Sequence, residues 1–339
     1  MKINFSVGLI YLALFLIVIS CTNTTKQDPK DDSNFVEQLN SSVENISATN
    51  VGRSIENVVF KGGGVLGIAY TGAVKALEEE GILKEVKRTA GTSAGSVIAA
   101  LIAFNYNSEE IIEVMSMTNF AAICKERDDL SILTSYGLND GDKIIEYVES
   151  FISKKTNNAK ITFAEMEASG FKELRVFATD LTEGKIREFS PTKTPNTIVA
   201  EAIRASMSYP LFFEAWRFSN SIPNNHFYVD GGVTYNYPVT TFPKENTLGF
   251  YLYNANKDAA GTLEENDLPK YVEKLLATIS SAQELGFMES AAQKEISVLI
   301  NDFGISPLDF DLADSVKTKL FVEGFEATKS YFEQSNRVR

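Results

Sequence analysis

Histidine is almost missing from this chain: among 339 residues there is one, His226. Cysteine is nearly as scarce, with only Cys21 and Cys124, and tryptophan occurs once. Two cysteines build no disulfide framework, and no clustered His and Cys stand ready for a metal. Basic runs are absent as well. Lys and Arg number 32 against 45 Asp and Glu, a formal net charge of −13, which argues against nucleic acid and against electrostatic docking on an anionic membrane. Acidic pairs such as Glu109-Glu110 and Asp128-Asp129 lack the spaced ligand pattern of a calcium loop and read as solvated faces. No internal repeat is apparent. What remains is ordinary globular material, 44% hydrophobic and 23% charged, long enough for one large α/β domain or two modest ones.

The N-terminus reads separately. After Lys2, residues 7–19 are apolar except for Gly8 and Tyr11. That run falls short of the roughly 20 residues needed to span a bilayer. It fits the apolar core of an export signal, about 7–15 residues long. It ends Val18-Ile19-Ser20-Cys21, which resembles the bacterial lipobox. The expectation is a lipoprotein-type signal peptide over 1–20, with Cys21 lipidated and holding an exported protein on a membrane of the cell envelope, outer membrane or cell surface; the plainer alternative is an ordinary signal cut near Ser20. Two acyl chains anchor where one does not. Residues 21–55, rich in Asn, Thr, Ser, Lys and Asp, read as a disordered tether. Residues 56–339 then form the folded domain, with 257–339 its mostly helical C-terminal part.

Strand-like runs at 58–60, 86–90, 174–179, 227–229 and 248–253 alternate with helical patterns at 67–80, 94–105, 141–153, 196–206, 268–285 and 312–334. Alternation of this kind predicts an α/β fold of three layers, α/β/α, around a mostly parallel central sheet. Such sheets carry their chemistry at the carboxyl ends of the strands.

One such end is crowded with glycine: Val58-Val59-Phe60 leads into Lys61-Gly62-Gly63-Gly64-Val65-Leu66-Gly67, then a helical pattern follows. Bare backbone N–H groups beside a helix N-terminus suit negative charge. Gly62-x-Gly64-x-x-Gly67 matches a dinucleotide fingerprint, but Glu85, which has the spacing of the ribose acid, precedes the second apolar run instead of ending it. A phosphate-binding P-loop needs Lys and Ser or Thr after Gly67, where Ile68 and Ala69 stand. A tight turn without ligand is the bland reading.

The next strand end narrows the choice. Gly91-Thr92-Ser93-Ala94-Gly95 is a G-x-S-x-G match between an apolar run and an apolar helix, the setting of a nucleophile elbow. A helix N-cap serine is the alternative. Beside a glycine loop, Ser93 could attack an acyl carbonyl while the loop amides hold the oxyanion. Its base is unlike that of an α/β-hydrolase triad, whose histidine follows the acid, since no histidine comes after Asp230. His226 lies in the polar loop Pro223-Asn224-Asn225-His226 and is expected to be solvated there. A carboxylate acting directly on the hydroxyl is left. Asp180 and Asp230 both end apolar strands; the glycines after Asp230 favour it, while position along the chain leaves the two nearly equal.

Taken together, Gly62-Gly63-Gly64-x-x-Gly67, Gly91-x-Ser93-x-Gly95 and Asp230-Gly231-Gly232 resemble the three signature blocks of patatin-like phospholipases, in order and spacing. Tyr136-Gly137-Leu138, Asp140-Gly141-Asp142-Lys143, residues 177–181, Ala205-Ser206-Met207-Ser208-Tyr209-Pro210 and Asp309-Phe310-Asp311-Leu312 agree with it, so the resemblance covers roughly 56–335. It implies a lipid acyl hydrolase of the phospholipase A or lysophospholipase kind, with Ser93 as nucleophile and Asp230 as base. Gly62, Gly63 and Gly64 would form the oxyanion hole, chiefly Gly63 and Gly64, with Gly67, Gly91, Gly95, Gly231 and Gly232 in support. Asp180 would then be structural, and neither metal nor cofactor is implied. One position departs: Leu66 stands where the family usually has Arg or Lys, which bears on phosphate-headgroup contacts. Residues 106–136 are expected to form a flap whose Met115, Met117, Phe120, Ile123, Leu130, Ile132 and Leu133 meet acyl chains or fill core. The partner is therefore a lipid or other fatty-acyl ester at a membrane surface. A non-catalytic lipid-binding protein of the same fold and a dinucleotide-dependent oxidoreductase are the competing readings.

Overall fold

The computed structural model describes residues 54–116, 136–255 and 268–337. The elements that place the site are, in chain order, β1 (Asn57–Phe60), α1 (Ile68–Glu79), β2 (Arg88–Thr92), α2 (Ala94–Ala103), α3 (Ser108–Ser116), β3 (Gly137–Asn139), α4 (Asp142–Thr156), β4 (Glu173–Asp180), β5 (Lys185–Phe189), α5 (Val199–Ser206), β6 (Leu211–Phe213), β7 (Tyr228–Asp230), β8 (Thr247–Tyr253), α6 (Leu268–Glu289), β9 (Ser297–Asn301) and α7 (Asp314–Arg337).

Seven strands form the main sheet, in the order β5-β4-β2-β1-β8-β9 with β7 also on β4. Contacts from β4 through β9 along that path are parallel; β5 and β7 run antiparallel to β4. β1 and β8 are buried almost throughout, as parallel strands covered on both faces must be. Alternation divides the core accordingly. Val58 and Phe60 face the large cluster with Ala69, Val97, Ile98 and Leu101, whereas Val59, Ala90 and Phe177 face a smaller one closed by Val239 and Phe242. On that second side Phe287 of α6 stacks on Tyr251, centroids 4.0 Å apart. Helices therefore flank a mostly parallel sheet, the three-layer arrangement expected. β3 and β6 form a separate two-stranded parallel ribbon.

Four strands escaped the sequence reading: the short β3 and β6 of the ribbon, and β5 and β9 of the main sheet. β5, Lys185-Ile186-Arg187-Glu188-Phe189, is an edge strand that buries only Phe189 fully, so its composition is that of a surface loop. β9, Ser297-Val298-Leu299-Ile300-Asn301, lies in a stretch left unassigned. The second expected strand, 86–90, sits two residues later, so it runs directly into Ser93.

α7 crosses α1 so closely that a Cβ on Gly324 would strike the Ala69 carbonyl, and one on Gly72 the Phe321 carbonyl. Gly324→Val should force the helices apart and lower stability by about 1–3 kcal/mol, read as a fall in thermal midpoint. An unchanged midpoint would contradict this crossing.

Candidate active site

β2 and β7 meet end to end. β2 pairs with Glu173–Phe177 of β4 and stops at Thr92. β5 occupies the other edge of β4, opposite Val176–Asp180. β7 pairs with Ala178–Asp180, so it must continue the line that β2 vacates, running the other way. The abutting ends carry Ser93 and Asp230. Ser93 Oγ donates to Asp230 Oδ2 over 2.6 Å.

Each partner is held in an unusual state. Ser93 has φ 51 and ψ −128, a conformation that costs a non-glycine residue about 1–3 kcal/mol. It occupies the N-cap position of α2, yet its hydroxyl makes no capping bond and goes to Asp230. Asp230 is 4% exposed and also accepts the Gly232 N–H on Oδ1 at 2.7 Å. Burial pushes its carboxyl up to about 6, against the pull of the Ser93 and Gly232 hydrogen bonds.

The glycine loop lies against the serine, for a Cβ on Gly62 would stand 3.3 Å from the Ser93 Cβ. The Gly62 N–H donates to the Asn236 carbonyl at 3.0 Å, so this member of the expected three is already engaged. The N–H groups of Gly63 and Gly64 donate to nothing among the described residues. Gly64 has φ +54, and the Pro307 carbonyl stands where its Cβ would be; that carbonyl also accepts the Val65 N–H at 3.0 Å. Residues near 307 therefore brace the loop from outside. Of the other glycines, Gly67 lies against Ala94, Gly91 against the Gly95 carbonyl, Gly95 against the Phe60 and Lys61 carbonyls of β1 and its loop, and Gly231 against the Phe177 carbonyl.

Around these groups lies a cavity of about 460 Å3. Its lining includes the apolar Val97, Met115, Ile144, Met207, Phe213 and Leu308 and the polar Lys61, Asn254, Glu284 and Asp302. Met115 is thus the member of the expected flap that reaches the cavity among the described residues, while Met117, Phe120, Ile123, Leu130, Ile132 and Leu133 lie outside them. Leu66 is buried beside the cavity. A cation does stand nearby, at Lys61: Nζ donates to the Leu252 carbonyl at 2.8 Å and to Glu284 at 2.5 Å, over the Tyr251 ring.

Asp180, the other candidate, is elsewhere. Its carboxylate accepts from Arg187 Nη2 at 2.9 Å and lies 2.9 Å from His226 Nδ1. Burial opposes its charge, but those bonds prevail and hold it below the usual carboxylate value. The expectation of a solvated His226 is thereby corrected: its loop folds back onto β4, and the ring pairs with a buried acid. Asp180, Glu183 and His226 offer ligand atoms within 4.8 Å of one another, but the Arg187 guanidinium already shares that carboxylate oxygen.

Three participants lay beyond sequence reasoning. Asn236 and Pro307 act through backbone carbonyls, which leave no trace in residue type. Ser206, whose hydroxyl accepts the Ser93 N–H at 2.8 Å, stood in the quoted stretch 205–210 without a role.

Comparison with known proteins bears on the whole domain. The family model described as patatin-like phospholipase matches residues 58–243, more than half of the chain. The chain belongs to the patatin-like phospholipase family. Family membership places its reaction class, broadly, among lipid hydrolases. The uncharacterized protein R571 of Acanthamoeba polyphaga mimivirus is 30% identical over 298 residues, 85% of this chain and 97% of that one. YqhO of Bacillus subtilis strain 168 is 30% identical over 297 residues, 81% of this chain and 97% of its own. The probable lipid hydrolase 463L of invertebrate iridescent virus 6 is 28% identical over 188 residues, 54% of this chain and 62% of its own. Among solved structures, VipD of Legionella pneumophila superposes with a TM-score of 0.57 at 15% identity, over 96% of this chain and 73% of that one, a likeness of fold. The patatin-like domain thus carries the three glycine-bearing blocks within the matched range.

Proposed function

We propose that this chain hydrolyses fatty-acyl esters of lipids through a Ser93–Asp230 dyad. The observation that carries the reading is the 2.6 Å bond from Ser93 Oγ to Asp230, beside the two undonated amides of Gly63 and Gly64. Asp230 takes the hydroxyl proton as Ser93 Oγ attacks the ester carbonyl, and the tetrahedral oxyanion accepts from those amides. Collapse expels the alcohol, which leaves with the proton now on Asp230. Water then gives a proton to Asp230 as it attacks the acyl-Ser93 ester; the acyl–Oγ bond breaks, Ser93 Oγ takes that proton back from Asp230, and the fatty acid departs. A carboxyl near 6 suits both halves of this cycle, because it is ionised enough to accept a proton and acidic enough to return it.

The apolar side chains of the lining suit an acyl chain and the polar ones an alcohol portion, in the manner of phospholipase A or lysophospholipase substrates. Leu66 removes one cation from the loop, so neutral acyl esters remain substrates alongside phospholipids. Residues 1–53 lie outside the described region. For them the proposal includes an export signal over 1–20, lipidation of Cys21 and attachment to a membrane of a bacterial cell envelope, which would raise the local concentration of lipid. No helix among the described residues is long and apolar enough to cross a membrane.

The test is fatty-acid release from phospholipids, lysophospholipids, monoacylglycerols and short acyl esters, followed against pH. Since the base must be ionised, kcat/KM should climb about tenfold per pH unit below about 6 and level off above. No release from any of the panel would overturn the hydrolase reading. Release with a rate that ignores pH between about 5 and 7 would remove Asp230 as the base.

A further inference from the structure

We propose that Ser206 is a positioning residue, gauging the nucleophile from the same strand that places the base; this rests on the Ser93–Asp230 reading above. Ser206 ends α5 and is fully buried. Its hydroxyl has one proton, donated to the Phe177 carbonyl of β4 at 2.5 Å, which leaves the oxygen's lone pairs to receive the Ser93 N–H at 2.8 Å. The direction of both bonds is therefore fixed. The following residue of β4, Ala178, pairs with Asp230, and Thr179 Oγ1 donates to the Asp230 carbonyl at 2.9 Å. Two residues on from Ser206, the Ser208 carbonyl accepts the Asp230 N–H at 2.8 Å.

These bonds close a ring. It runs from the Ser93 amide through the Ser206 hydroxyl to Phe177, along β4 to Asp230, and back through the 2.6 Å bond to the Ser93 hydroxyl. β2 ends before Ser93, so the strand ladder does not reach this peptide, and its amide turns to a side chain instead. The unusual dihedrals of Ser93 persist only where the surroundings dictate them. Ser206 supplies one such constraint on the backbone of Ser93, and Asp230 supplies another on its side chain. With Ser206 gone, the 2.6 Å bond could survive by rotation about the Ser93 side-chain torsion, but the hydroxyl would no longer be aimed as the glycine amides require. A misplacement near 1 Å can lower a rate by about 10²-fold.

The experiment compares Ser206→Ala with the parent on a soluble short-chain ester. The expected result is a kcat lower by roughly 10- to 100-fold with KM within about twofold, and the same pH midpoint near 6, because the surroundings of Asp230 are untouched. The rate constant for labelling by a fluorophosphonate probe should fall in parallel. Thr89→Val is the packing control: it removes a fully buried hydroxyl from β2, bonded to the Ala99 carbonyl, and should lower the thermal midpoint while sparing kcat. Should Ser206→Ala not fold, Ser206→Cys, similar in size and a weak acceptor, is read in its place with the same direction expected. A kcat within twofold of the parent, alongside an inactive Ser93→Ala, would overturn the positioning role alone. An active Ser93→Ala would overturn the dyad and, with it, the role of Ser206.

Discussion

Asp230→Asn should lower ester hydrolysis by about 10⁴-fold while leaving the fold intact. The amide matches the carboxylate in shape and can keep the Gly232 N–H as donor to its oxygen, so the loop at 231–232 has no reason to move. It cannot, however, remove a proton from Ser93. Ser93→Ala should be at least as damaging, and should also abolish labelling by a fluorophosphonate. The Asp230 variant carries a second, opposite expectation. The folded-state carboxyl is raised from 3.8 to about 6 by burial. The folded protein therefore binds that proton more tightly than the unfolded chain, so the contribution to stability is fully present below about 4 and is lost as pH rises through about 6. Above that window the buried anion opposes folding by an amount on the order of 3 kcal/mol at most. Asp230→Asn should accordingly raise the thermal midpoint at pH 8 relative to the parent, and the gain should vanish near pH 4. A variant that still turns over at a near-parental rate would sink the general-base assignment, whatever its stability.

Gly64→Ala is expected to reduce kcat by about 10²–10³-fold, the usual consequence of losing an oxyanion donor. The added methyl meets the Pro307 carbonyl at a φ of +54, so the loop must either detach from Pro307 or rotate its peptides. Either movement turns the Gly63 and Gly64 amides away from the oxyanion position. Asp230 and Ser93 remain bonded, so the pH midpoint should stay near 6 while the plateau falls. Circular dichroism and the thermal midpoint would show whether the domain is retained. Full activity in a folded Gly64→Ala protein would mean that the oxyanion is held by other groups.

Much of this architecture was legible beforehand because its signals are local. A glycine run after an apolar strand and small residues around a serine reflect backbone demands that few residue types satisfy, and these stand in the sequence as written. Apolar runs alternating with helical periods likewise announced a covered parallel sheet. β5 was missed for the complementary reason: an edge strand buries one face partly, so its lysine, arginine and glutamate gave no alternation to read.

The fold class, the glycine loop, the elbow serine and a choice of two acids can all be read from residue order, since each follows from what a short segment can do alone. Which acid meets the serine was decided by tertiary structure. Asp180 and Asp230 end neighbouring strands, but β5 takes one edge of β4, so β7 can only continue the line of β2 and deliver Asp230 to Ser93, while Asp180 is left to Arg187 and His226. The same holds for Gly62, whose amide is consumed by a carbonyl 174 positions away, at Asn236. Strand register and backbone acceptors are properties of the assembled sheet, and residue identities do not encode them one at a time.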